Sequence, residues 1–268
     1  MLDIIKKQLS AKTVLVLYII FTSWWIYLRL TTTPESLDNQ LFAASYGLLA
    51  LFGGIIGISI AQKWGGFKSL FGRSIYMFSF GLLAQEFGQL MYSYYIYFSN
   101  NEVPYPSLGD LGYFGSIILY ILGVYFMGRV VKANLGSFKN KIQAILIPIL
   151  MLVVAYLLFL SDYEFDISAP LKIFLDFGYP FGQTLYVSLA ILVYLLSKNL
   201  LGGIMKNKIL FILFALVVQF LADYTFLYQA SRGTWYAGGL NDFIYLTSYF
   251  MMTFGLIQLK TVINTLKS

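Results

Sequence analysis

Three carboxylates lie inside apolar stretches with no basic residue at a matching depth: Glu86, Asp176 and Asp223. Amides and a phenol accompany them at helical spacing. Gln85 and Gln89 flank Glu86, Tyr179 and Gln183 follow Asp176, and Gln219 precedes Asp223 by four. Residues three and four apart share a helix face, so each set forms one polar stripe. An ionisable group inside a membrane segment is costly and points first to function. Lacking a Lys or Arg partner, these groups need water, a proton, a bound cation or a ligand with donors. Structural hydrogen bonding is the competing account. Asp110 and Asp242 stand at the mouths of two further apolar runs, where helix N-capping is the alternative to a place in the site. The chain has no His and no Cys, which removes the commonest general base, the commonest metal ligand and any thiolate nucleophile. No catalytic residue, metal or cofactor is assigned, and the expectation is a protein that is not an enzyme. The chemistry left is recognition of a small ligand or cation by Glu86, Gln89, Asp110, Asp176, Tyr179, Gln183, Asp223 and Asp242.

The elements that must position these groups follow from composition. Of 268 residues, 59% are hydrophobic and 11% charged, against about 25% charged in an ordinary soluble domain. Mean hydropathy is +0.75. That much apolar surface calls for a lipid bilayer as partner. Apolar runs place eight spans near 13–30, 41–62, 74–98, 110–128, 142–160, 171–197, 208–229 and 240–261. Pro180 interrupts the sixth and should free carbonyls beside its polar stripe. Lysine and arginine collect on one side of these spans, leaving only Arg29, Lys172 and Arg232 on the other. The bias predicts an all-α, multi-pass protein of the inner (cytoplasmic) membrane with both termini cytoplasmic. The net charge of +6 is then a topology signal, and no soluble basic surface exists to take nucleic acid. The carboxylate stripes should converge on a polar vestibule open to the outside.

A near-constant offset runs through the chain. Asp110, Tyr113, Ser116 and Gly123 are each followed 132 residues later by Asp242, Tyr245, Ser248 and Gly255, and Tyr46 is followed by Tyr179 at 133. The offset predicts two tandem four-helix halves, 1–134 and 135–268, facing the same way as a parallel repeat.

The stretch Pro104-Tyr-Pro-Ser-Leu-Gly-Asp-Leu-Gly-Tyr113, followed by Gly123, resembles a run found in the multi-spanning N-terminal sensor regions of bacterial diguanylate cyclases, cyclic-di-GMP phosphodiesterases and histidine kinases. Gly178-Tyr-Pro-Phe-Gly-Gln183 is similar to a second element of those regions, with Gln183 where an acid is usual. Leu221-Ala-Asp223 and Gly233-Thr-Trp-Tyr-Ala-Gly-Gly-Leu-Asn-Asp242 resemble a third. The resemblance implies extracytoplasmic sensing relayed to a cytoplasmic signalling protein or through a homodimer. Only a few residues follow the eighth span, so the expectation is a stand-alone relative or an input domain cut from its output. The alternative function is a small-solute or ion-coupled transporter, to which tandem halves and intramembrane acids are also suited.

Overall fold

A computed structural model describes residues 8–98, 103–131, 138–161, 163–197 and 205–267. Among them the chain is helical, without strands. The helices are α1 (Leu9–Thr31), α2 (Leu37–Ser45), α3 (Leu48–Lys63), α4 (Leu70–Phe98), α5 (Gly109–Val130), α6 (Phe138–Phe159), α7 (Pro170–Ser197), α8 (Lys206–Ser231) and α9 (Leu240–Lys267), with one 3-10 turn at Gly66–Lys68. Seven stretches among the described residues are long and apolar enough to cross a membrane: α1, α2 with α3, α5, α6, α7, α8 and α9. The chain is therefore read as a multi-pass membrane protein.

The run 41–62 lies within one apolar stretch, Leu37–Lys63, interrupted at Tyr46-Gly47 between α2 and α3, where both residues keep helical angles. One expected span differs from the sequence reading. The run 74–98 folds as the 29-residue α4 but is not among the seven apolar stretches. Its Arg73, Gln85, Glu86 and Gln89 dilute its hydropathy. Pro180 also behaves otherwise than expected: α7 runs through it without a break.

The core explains where polarity is tolerated. Helix α4 lies between α3 and α5, and α9 packs on α1, α3 and α8. Gly112 lets α5 approach α4 closely, since a Cβ there would overlap the Ala84 carbonyl oxygen and the Gly88 amide. Ser74 Oγ donates to the Gly123 carbonyl across the same contact, at 2.8 Å. Phe78, Tyr120, Tyr186, Tyr249 and Phe254 fill the interior. The outer helices behave in the opposite way. Helix α6 packs mainly against α7 and α8 among the described residues, and it exposes Leu146, Ile149, Leu150 and Val153, as a lipid-facing helix does.

Candidate ligand site

Helix α4 supplies the centre of the polar layer. Gln85, Glu86 and Gln89 are all buried there, on faces covered by α3 and α5. Gln89 reaches two neighbours. Its amide nitrogen donates to the Ala43 carbonyl at the end of α2. Its oxygen accepts from the Tyr113 hydroxyl at 3.1 Å and lies 3.4 Å from the Tyr46 hydroxyl. Tyr46 is also 3.5 Å from Asp242 Oδ1, so one phenol sits between an amide of α4 and a carboxylate of α9. Asp242 Oδ2 accepts from the Gly238 amide at 2.7 Å. Gly238 has φ of 76°, a left-handed conformation that suits glycine.

Glu86 is different. Its Oε2 is buried and has no hydrogen-bond partner. It points at the break between α2 and α3, where a Cβ on Gly47 would overlap it. Glycine at 47 thus makes room for the carboxylate. The interruption is local: Tyr46 and Gly47 keep helical angles, and backbone bonds from Leu49 to Tyr46 and from Leu51 to Gly47 bridge it.

A second set is built on α8. Asp223 is buried and accepts three hydrogen bonds: from Tyr186 at 2.6 Å, from Tyr245 at 2.9 Å and from Gln219 at 3.0 Å. Gln219 in turn accepts from Ser248 at 2.7 Å. Tyr249 links the two sets, donating to Gln85 at 3.1 Å, while its ring is 6.0 Å from those of Tyr46 and Tyr245. Gln85 completes the layer by donating to Ser116 at 2.7 Å.

A third set lies toward the loops. Tyr179 donates to Asp110 at 2.6 Å. Tyr105 and Tyr163 both donate to Asp176, at 2.7 Å each. In these loops the Asp176 hydrogen bond, aided by desolvation and that carboxylate's charge, pushes the Tyr163 phenol up to about 12. Partial desolvation and the same carboxylate raise Tyr105. The Ser168 hydroxyl and amide hold Asp166 below its ordinary value.

The sequence-derived residues therefore fall into three hydrogen-bonded groups. Glu86 and Gln89 go with Asp242, Asp223 has its own set, and Asp110 and Tyr179 form a pair near Asp176. Gln183 is buried with its Oε1 unpartnered. Among the described residues, no three acidic side chains group so as to hold a metal ion. Asp110 and Asp242 are not N-caps. Each sits in the first turn of its helix and reaches back to an earlier amide, Ser107 at 2.7 Å for Asp110 and Gly238 for Asp242, as a capping-box acid does.

Sequence reasoning missed the partners. Asp110, Asp176, Asp223 and Asp242 are all met by tyrosine hydroxyls. The signal was present in the 22 tyrosines, among which Tyr113, Tyr179, Tyr186, Tyr245 and Tyr249 lie in apolar runs that also carry an acid. A phenol is apolar enough for a span and still supplies one donor.

The contacts repeat at near-constant separation. The pair Gln85–Ser116 corresponds to Gln219–Ser248, and Tyr113–Gln89 corresponds to Tyr245–Asp223. Gly123 abuts Phe78, and Gly255 abuts Ile212. Each glutamine and its counterpart, and Phe78 and Ile212, are 134 residues apart, while the others stand at 132. Tyr46 reaches Asp242, and Tyr179 reaches Asp110. No protein family, curated protein or solved structure matches the chain.

Proposed function

We propose that this protein is a membrane sensor domain that takes a cation or a small donor-rich ligand from the extracytoplasmic side and signals to a cytoplasmic partner. The observation that carries the reading is Glu86, whose Oε2 is buried without a partner against the break at Gly47. Every aspartate in the polar layer has a donor, so only this carboxylate is held ready for one from outside the chain. An unsatisfied buried polar group costs about 1–3 kcal/mol, more if charged. A ligand that supplies the missing donor recovers that energy only in the bound packing, and this difference in affinity can shift a conformational equilibrium. The break couples the site to the bundle. Gln89 ties it to α2, and Tyr46 reaches from it to Asp242 on α9, the last described helix. Movement at Gly47 would thus be felt along α9.

The same reading takes α4 as an eighth span, places both termini in the cytoplasm and the chain in the inner membrane, and treats 1–134 and 135–268 as a tandem pair. The equal-offset contacts and the reciprocal Tyr46–Asp242 and Tyr179–Asp110 pairs support the duplication. Within that frame Glu86 corresponds to Phe220, and Gln89 to Asp223. The halves share their amide and phenol layer and differ in where the acid sits, as expected of a structural layer carrying one specialised site. The likeness of residues 104–123, 178–183 and 221–242 to bacterial sensor regions favours signalling.

The test is thermal unfolding of the purified chain in nanodiscs with sodium, calcium, choline or spermidine added. At least one of these cations should raise the midpoint, and the shift should vanish in Glu86→Gln. A shift that survives this substitution sinks the reading. The break itself favours a second reading, a transporter, since discontinuous helices coordinate ions in several transporter folds. Uptake of the stabilising cation into proteoliposomes would decide for it.

A further inference from the structure

At the end of the bundle where α1 begins and α3 ends, the structure holds a cavity of about 180 Å³ lined by Ser10, Ile56, Ser59, Ile60, Lys63 and Lys260. It draws on α1, α3 and α9 and has no part in the carboxylate layer. Its polar lining is all donors: two ammonium groups and two hydroxyls, with no acid among the described lining residues. Ser10 Oγ is buried without a hydrogen-bond partner. Ser10 also lies in the first turn of α1, whose N-terminus has no side-chain cap, so the positive helix end faces the same region. Ile56 and Ile60 form an apolar wall beside these donors. Next to it, Trp64 is anchored by its indole N–H to the Leu259 carbonyl at 3.3 Å, which fixes the end of α3 against α9 and keeps Lys63 near Lys260.

We infer that this cavity is an anion site for a phosphate group, placed where the bundle meets the membrane surface. Two cations, hydroxyl donors and a helix N-terminus are the recurring chemistry of phosphate recognition. Basic pockets between membrane helices on the lysine-rich side take lipid headgroups. The shared chemistry covers a phospholipid headgroup and a free phosphate, and the apolar wall accommodates the glycerol and first acyl carbons of the former. Occupancy would brace α1 and α3 against α9 at the end opposite the carboxylates.

The full chain in phosphatidylcholine nanodiscs is titrated with fluorescent phosphatidylglycerol, read by energy transfer from tryptophan, with and without inorganic phosphate as competitor. Wild type and Lys63→Arg/Lys260→Arg should bind. Lys63→Gln/Lys260→Gln should weaken binding about tenfold or more, as expected for two surface cations. Lys139→Gln/Lys141→Gln, at exposed positions on α6, should bind as wild type does. Displacement by inorganic phosphate identifies a site for the free anion, and resistance to it identifies a lipid site. Unchanged binding in Lys63→Gln/Lys260→Gln overturns the proposal. An equal loss in Lys139→Gln/Lys141→Gln also overturns it, because the attraction would then belong to the general surface charge.

Discussion

At the residue scale, the arrangement turns on how a carboxylate is kept in an apolar layer without a cation. Four aspartates solve this with phenols, and Glu86 does not. Glu86→Gln removes a buried acid that lacks a partner and leaves an amide of the same shape, so it should leave the unfolding midpoint unchanged or raise it. Asp223→Ala strands Tyr186, Tyr245 and Gln219 and should cost about 2–4 kcal/mol in a denaturation experiment. Gly47→Ala should destabilise by about 1–3 kcal/mol through overlap with Glu86. In a double-mutant cycle much of that cost should disappear on a Glu86→Ala background. No coupling between positions 47 and 86 would mean that the glycine serves the break alone. The loop acids allow a pH test. Tyr163 is raised to about 12 by Asp176, so its hydrogen bond contributes fully below the ordinary phenol value near 10 and is lost as pH rises through about 12. A 13C-labelled Tyr163 should titrate near 12 in wild type and nearer 10 in Asp176→Asn.

At the element scale, most helices were legible because apolar runs and basic connections set them directly. Helices α5 to α8 start and end within four residues of the expected spans, and α9 starts where expected but runs six residues further. The break at Tyr46-Gly47 was not legible. Both flanks are apolar, glycine is common in such runs, and the carboxylate that packs against Gly47 is 39 residues away, brought to it only by the fold. Pro180 gave the opposite error, since α7 absorbs it and the neighbouring Pro180 carbonyl accepts from Tyr224 at 3.2 Å. The acids themselves were legible, but their partners were not, because Tyr46 and Asp242 are 196 residues apart. Close helix approach gives a further test. A Cβ at position 112 would meet the backbone of α4, which cannot turn aside as a side chain can. Gly112→Leu should therefore force α4 and α5 apart and lower the unfolding midpoint more than Gly115→Leu, where the space is open.

At the scale of the whole molecule, the question is whether α4 crosses the membrane. Hydropathy alone leaves it out. Burial argues the other way: residues from Phe71 to Gln89 are buried along its length, among them Ser74, Ile75, Phe78, Leu82 and Glu86, and α3 and α5 cover it rather than lipid. A helix laid along the bilayer surface would bury one stripe and leave the other face wet, whereas α4 is polar where neighbours surround it. Low hydropathy is compatible with a central span, since a helix surrounded by other helices need not be apolar all round. The charge pattern agrees. With α4 crossing, Lys63, Lys68 and Arg73 fall on the same side as Lys139, Lys141, Lys206 and Lys208. With α4 omitted, later basic connections would move to the opposite side and the lysine bias would be lost. Reporter fusions decide the matter. A fusion after Asn100 should behave as extracytoplasmic and one after Asn207 as cytoplasmic. If the fusion after Asn100 reports as cytoplasmic and the one after Asn207 as extracytoplasmic, α4 does not cross. The Glu86 site would then have to be reached from a different face of the bundle.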